Sequence, residues 1–277
     1  MKKRALTSVI LAVVLIPILW LPTLLFTIVV GFFLTVASFE MARMIASNEQ
    51  LSWRYYLIHA ATSLSLYVSF YLFLEDHVNG LFVLMILFGI STTYFSVLVI
   101  DHTLKYTAMS QLFLSALYIA IGFAAISYLQ TIGVLTLIYL FLVTLLTDIF
   151  AYLFGIKLGR HKLAPNISPK KSWEGLISGM FFSTVFAVSY VAIFEVTLLT
   201  EVSLGWIELI GLTLLMSLSG QFGDLIASKL KRDYGRKDFS NIFPGHGGVM
   251  DRFDSSLFAS FVLVFLVLVL RLFTQGL

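Results

Sequence analysis

The sequence predicts an all-α fold: a polytopic integral membrane helical bundle of about nine transmembrane helices, with its N-terminus in the cytoplasm. Three observations lead there. The chain is 59% hydrophobic and only 12% charged, with a mean hydropathy of +0.97. Its apolar residues run in stretches long enough to cross a bilayer, and a soluble core of 277 residues could not hide them. Its Lys and Arg residues fall almost entirely on one side of those stretches. Cysteine is absent, which excludes disulfides, zinc thiolates and thiol nucleophiles.

A bilayer core needs about 20 mostly apolar residues per helix. Taken in order, the candidate spans lie near 5–21, 23–42, 55–74, 80–100, 107–128, 132–154, 175–199, 207–227 and 255–274. The first could pass for a signal peptide, but no small-residue cleavage site follows promptly and a second apolar run begins at once. It is therefore expected to be retained, with a tight turn around Pro22. Residues 1–128 then form a set of N-terminal membrane helices. Residues 129–277 form a C-terminal catalytic membrane region carrying two long cytoplasmic loops, 155–174 and 228–254.

Orientation follows from the positive-inside rule. With the N-terminus inside, the cytoplasm receives Lys2, Lys3, Arg4, Arg43, Arg54, Lys105 and every basic residue of 157–171 and 229–252. Only Arg271 falls elsewhere, and the opposite face collects Glu75, Asp76, Glu201 and Glu208. The two long loops hold close to half of the charged residues and three of the 5 prolines, so the polar chemistry is expected at the cytoplasmic face.

The eighth span and its exit, SLSGQFGDLIASKLKRD, carry Asp224, Ser228 and Lys231 at i, i+4 and i+7, on one helical face. An ionised carboxylate in a membrane helix costs about 2.5–3.5 kcal/mol on insertion scales, which makes it a functional candidate. The bland alternative is an intramembrane salt bridge that fixes helix packing. Asp148, in LLTDIFAYLFG, could equally be a packing residue. A second carboxylate at similar depth favours a shared cation, since two unpaired acids repel.

The loop GRHKLAPNISPKKSWEG offers Arg160, His161, Lys162, Lys170 and Lys171. Attraction to anionic headgroups would explain the charge alone. The surrounding geometry favours a phosphate site: Pro165 and Pro169 stiffen the chain, and SPKKSWEG reads as a turn entering a helix with Ser172 as its N-cap. In the second loop, PGHGG provides glycines whose exposed amides can form an anion nest. DRFD places Asp251 and Asp254 one turn apart if the helix has begun, with Arg252 beside them. Carboxylates and cations in one segment suit a metal bound to polyphosphate. His246 alone is more often structural than catalytic. There is no GxxxxGK[ST], GxGxxG or HExxH motif.

At residues 228–254, SKLKRDYGRKDFSNIFPGHGGVMDRFD, the sequence resembles the signature of the phosphatidate cytidylyltransferases, the CDP-diacylglycerol synthases. The serine, KR, KD, PGHGG and DRFD elements all stand in place, and GRHKLAPNISPKKSWEG is similar to that family's second cytoplasmic loop. The family often has Asp-Thr-Gly-Ala-Tyr where this chain has Asp148-Ile149-Phe150-Ala151-Tyr152, so the acid and the tyrosine remain. The resemblance implies transfer of a cytidylyl group from CTP to phosphatidate at the inner face of the cell membrane, with Mg²⁺ as cofactor and no nucleic acid partner. A second cation and a homodimer are left open.

On this footing the catalytic candidates are Asp224, Lys231, Arg232, Lys237, Asp238, His246, Asp251 and Arg252. Ser168, Lys170, Lys171, Ser172, Ser228, Gly247 and Gly248 would bind substrate. Asp224 and Asp251 would bind metal, with Asp148 and Asp254 as further ligands. Two rivals stand beside this reading: a CTP-dependent kinase of a polyprenol or similar lipid alcohol, and an ion-coupled transporter using Asp148 and Asp224.

Overall fold

The computed structural model of the protein describes residues 13–49, 51–198 and 204–275. The helices are α1 (13–18), α2 (Thr23–Glu49), α3 (Trp53–Leu74), α4 (Gly80–Ile100), α5 (Tyr106–Ile132), α6 (Val134–Leu158), α7 (Trp173–Phe194), α8 (Trp206–Asp233) and α9 (Met250–Gln275). An antiparallel hairpin of β1 (Lys162–Ala164) and β2 (Ser168–Ser172) lies between α6 and α7. Eight of the helices, α2 to α9, are long and apolar enough to cross a bilayer, and the chain is a polytopic helical membrane protein. Residues 5–12 of the expected first span lie outside the described residues, as do Lys2, Lys3, Arg4 and Glu201.

Helices dominate because a bilayer leaves no water to satisfy backbone amides and carbonyls, so each spanning segment must pair its own. Element ends depart from the hydropathy pattern where local chemistry overrides it. α7 stops at Phe194, short of 199, because Glu195 adopts a left-handed conformation (φ 48°). α8 runs on to Asp233, through a stretch of strong helix formers whose Lys231 and Arg232 complement the negative end of the helix dipole. α9 begins at Met250, five residues earlier than expected, and so carries both Asp251 and Asp254.

The loop 155–174 also differs from expectation. SPKKS is an extended strand rather than a turn, with Lys162 opposite Ser172 and Ala164 opposite Ser168 across a bulge. Pro169 is tolerated because a two-stranded hairpin has only edge strands. Ser172 then caps α7 as expected, accepting a hydrogen bond from the Gly175 amide at 3.2 Å.

The chain divides into two compact units. One comprises the described parts of Met1–Tyr128 together with Tyr234–Arg252. In it, the fully buried His59 of α3 links Ser38 of α2 (2.6 Å) to Ser115 of α5 (2.9 Å). Such hydrogen bonds hold helices together in lipid, where the hydrophobic effect does not.

The other unit comprises Leu129–Asp233 and the described part of Phe253–Leu277. Here α6 and α7 pack through small residues spaced four apart, Ala151 and Gly155 against Gly175 and Gly179. A Cβ on Gly179 would lie 2.7 Å from the Thr147 carbonyl oxygen, and one on Gly175 would lie 2.6 Å from that of Ala151. Thr147 Oγ1 and Ser217 Oγ, 2.7 Å apart, tie α6 to α8, and Ser183 of α7 donates to Ser217 at 3.2 Å. These close contacts bring Asp148 of α6 beside α8 and strand β2.

Candidate active site

Within the second unit, one face of α8 carries Ser217, Gln221, Asp224, Ser228 and Lys231, alternately four and three residues apart. That spacing makes a polar seam along an apolar helix. Asp224 Oδ2 lies 2.5 Å from Lys171 Nζ of strand β2, and Ser228 Oγ donates to Asp224 Oδ1 at 3.3 Å. Gln221, which is buried, does two jobs at once. Its Oε1 accepts from Lys171 Nζ at 2.9 Å, while its Nε2 donates to Asp148 Oδ1 at 2.7 Å. The other Asp148 oxygen accepts from Ser255 Oγ of α9 at 3.3 Å.

Asp254, one residue before Ser255, faces Lys231 Nζ at 4.0 Å and accepts from the Ser255 amide at 2.8 Å. Three carboxylates and two ammonium groups are thus gathered from α6, α8, α9 and the hairpin. Beside them lies a cavity of about 240 Å³, bounded by Asp148, Tyr152, Ser168, Lys170, Lys171 and Asp224 among others. Ser172 also reaches this wall.

The donors suit a hard divalent cation, since all three acids offer oxygen and their charge exceeds that of the two lysines by one. Among the described residues, however, no three His, Asp or Glu side chains stand close enough to form a ready-made metal cage. Lys171 is lodged on Asp224, and Gln221 is lodged on Asp148.

In the first unit, Asp251 uses Oδ2 to accept the amides of Phe239 (2.8 Å) and Gly248 (2.9 Å). Gly245 and Gly247 take positive φ (78° and 81°), as the PGHGG turn requires. The anion nest expected of this turn is engaged differently: Gly248 is bonded to Asp251, and the His246 amide bonds the Phe243 carbonyl at 2.8 Å. The amides of Val249 and Met250 go to Glu40 of α2 at 3.0 and 2.9 Å, and Ser240 Oγ donates to Glu40 at 2.5 Å. The protein's own carboxylates fill the role predicted for a bound anion. Lys237, Asp238 and Arg252 of this unit are exposed, as is Arg232 of the other, and His246 is half-buried.

Sequence reasoning missed Gln221, Ser255 and Glu40. The seam on α8 could have revealed Gln221. Glu40, an acid inside the second apolar run, could have been flagged as an intramembrane charge. Nothing in the sequence distinguished Ser255.

These features define a class first: a polytopic membrane protein whose intramembrane charges converge, ion-paired, on a small cavity. Comparison with known proteins narrows it. The profile of the Cytidylyltransferase family matches residues 2–270. The phosphatidate cytidylyltransferase of Bacillus subtilis is 35% identical over 278 residues, covering 99% of each chain. Those of Staphylococcus aureus (strain COL) and Staphylococcus haemolyticus are 45% and 43% identical over 147 and 145 residues. In those two alignments the chain spans about half the length of the curated relatives (54%). The chain belongs to the cytidylyltransferase family.

Proposed function

We propose that this protein transfers the cytidylyl group of CTP to phosphatidate, giving CDP-diacylglycerol and pyrophosphate at the cytoplasmic face of the membrane. The observation that carries the reading is the convergence of Asp148, Asp224, Asp254, Lys171 and Lys231 beside a cavity walled by Ser168 and Lys170. The names of the relatives, one aligned over nearly its full length and the other over about half, support it.

In this reaction a phosphatidate phosphate oxygen attacks the α-phosphorus of CTP. The bond from that phosphorus to the bridging oxygen breaks, and the electron pair leaves with pyrophosphate. The nucleophile is already anionic, so no strong base is required, and the obstacle is the approach of two polyanions. A Mg²⁺ held by Asp224, with Asp148 and Asp254, would supply charge neutralisation between them and on the leaving group. Lys170 and Lys171 line the cavity from a strand pinned in the hairpin, so each would bring an ammonium to a substrate phosphate from a fixed backbone rather than from a loose tail. Ser168 and Ser172 add hydroxyl groups to the same wall. Lys231 balances Asp254, which limits the cost of ionising an acid in the membrane. Asp251 and Glu40 hold the PGHGG turn and the start of α9 by accepting four backbone amides.

The test is an assay of purified protein in detergent micelles with CTP and Mg²⁺, offering phosphatidate and a polyprenol separately. Chelator-sensitive CDP-lipid and pyrophosphate from phosphatidate are expected. CDP with a phosphorylated polyprenol would establish the kinase instead. Asp224→Asn is expected to lower kcat by roughly a hundredfold or more, about 2.7 kcal/mol of barrier. Full activity and metal dependence in that variant would refute the cation assignment.

A further inference from the structure

We infer that Lys171 is a displaceable counter-ion: its ammonium holds the place of a divalent cation on Asp224, and cation binding releases it into the cavity to receive a substrate phosphate. The inference rests on the divalent cation proposed above. Its ground is where the ammonium sits. Lys171 Nζ is 2.5 Å from Asp224 Oδ2 and 2.9 Å from Gln221 Oε1, and Gln221 holds Asp148 Oδ1 at 2.7 Å. The ammonium is therefore lodged on hard oxygen donors at the point where two of the three carboxylates are linked. A divalent cation seeks the same oxygens. The two positive charges repel strongly at the separation that sharing one carboxylate imposes.

Lys171 can leave without stranding the rest of the cluster. Asp254 has its own cation in Lys231, 4.0 Å away. The lysine also has somewhere to go. It lines the cavity of about 240 Å³ together with Ser168, Lys170 and Ser172, and its side chain is 18% exposed, so a flexible four-carbon stem can turn its head into that space. The carboxylate it leaves is 26% exposed and borders the same cavity, which gives an incoming cation access.

The consequence is an order of events. Without a cation, Lys171 is committed to Asp224 and contributes little to phosphate binding. With a cation, the same side chain becomes a phosphate ligand. Metal and phosphate binding are then coupled, each favouring the other, as linkage requires.

Purified full-length protein in detergent micelles, with Mn²⁺ as the probe, tests this. Free Mn²⁺ is counted by electron paramagnetic resonance. Lysine reactivity is read by pulsed amine labelling and mass spectrometry, with the exposed Lys162 as internal reference. Labelling of Lys171 should rise several-fold as Mn²⁺ saturates, while Lys162 stays constant. Lys171→Met should bind Mn²⁺ roughly tenfold more tightly, the scale on which removing one nearby like charge acts. Lys171→Arg, which keeps the charge, should bind it as the wild type does. Unchanged Lys171 labelling at saturating Mn²⁺, or a Lys171→Met variant with wild-type affinity, overturns the exchange and leaves the cytidylyltransferase reading intact. No Mn²⁺ binding, with chelator-insensitive formation of CDP-lipid, overturns the cation itself. A protein that binds Mn²⁺ but makes no CDP-lipid refutes the enzymatic reading separately.

Discussion

Asp101, in the loop between α4 and α5, shows how much one half-buried acid can be tuned by its neighbours. The Thr103 hydroxyl donates to it at 2.6 Å, the Tyr55 hydroxyl at 2.5 Å and the Thr103 amide at 2.9 Å. Led by the Thr103 hydroxyl, these donors favour the carboxylate and hold its pKa down to about 2. A depressed carboxylate pKa stabilises the fold above the unfolded value of about 4, and that stability is lost as pH falls towards 2. Thermal unfolding of wild type and Asp101→Asn in detergent micelles should therefore differ by a constant gap above about pH 5, narrowing below about pH 4 and closing as the buffer approaches pH 2. A gap independent of pH would mean that the loop does not depend on the charge. The sequence offered no sign of this site, because Asp-His-Thr-Leu-Lys is an ordinary turn composition. Charged residues in apolar runs were more legible. Asp148 and Asp224 stood out because ionisation there is expensive, whereas Gln221 carries no charge and was passed over though it joins Asp148 to the lysine paired with Asp224. Glu40 was hidden differently: it sits near the end of its expected span, where an acid can be dismissed as snorkelling.

At the scale of elements, hydropathy located eight described spans because lipid makes each helix close its own hydrogen bonds. Hydropathy alone did not reveal which sides meet, since most spans are apolar all round. The glycines carry that information. Gly223 of α8 faces the Asp254 carbonyl of α9, where an added Cβ would lie 2.5 Å away, whereas one on Gly211 of the same helix would meet nothing within 4 Å. Gly223→Ala must push the two helices apart and shift Asp224 from Asp254, at a cost of about 1–3 kcal/mol. Gly211→Ala should stay within about 0.5 kcal/mol of wild type. Thermal unfolding and CDP-lipid formation measured on both variants should show loss only for Gly223→Ala. Equal behaviour would mean that the α8–α9 contact does not set the site. A different small-residue position explains the departure from the family's Asp-Thr-Gly-Ala-Tyr run. Phe150 stands where the glycine is usual and stacks on Phe182 and Phe186 of α7 at 4.9 and 5.7 Å. The aromatic ring is thus placed in the α6–α7 packing, while Asp148 and Tyr152 keep their places on the cavity wall. The hairpin had the weakest signature of all: strands of three and five residues with no apolar alternation leave nothing for a periodicity argument to detect.

For the whole molecule, the decisive quantity is the placement of charge across the membrane rather than the net +3. CTP and pyrophosphate are soluble polyanions, so the proposed reaction needs the hairpin lysines on the side where CTP is found. The positive-inside rule assigns that side to the cytoplasm and puts the acidic turn at 75–79 opposite. The chain's lack of cysteine makes this directly measurable, because any introduced thiol is the sole target of a maleimide. His77→Cys and Lys162→Cys both replace exposed residues of connecting segments. A membrane-impermeant maleimide added to intact cells should label the thiol at 77 and spare that at 162. Permeabilised cells should give both. The reverse pattern would turn the protein over and place the lysines of 162–171 away from cytosolic nucleotide. Labelling of both positions in intact cells would break the span count between them. Either result would remove CTP from the proposed site even if the carboxylates and lysines stood as described, because the chemistry of that cavity depends on which solution it opens to.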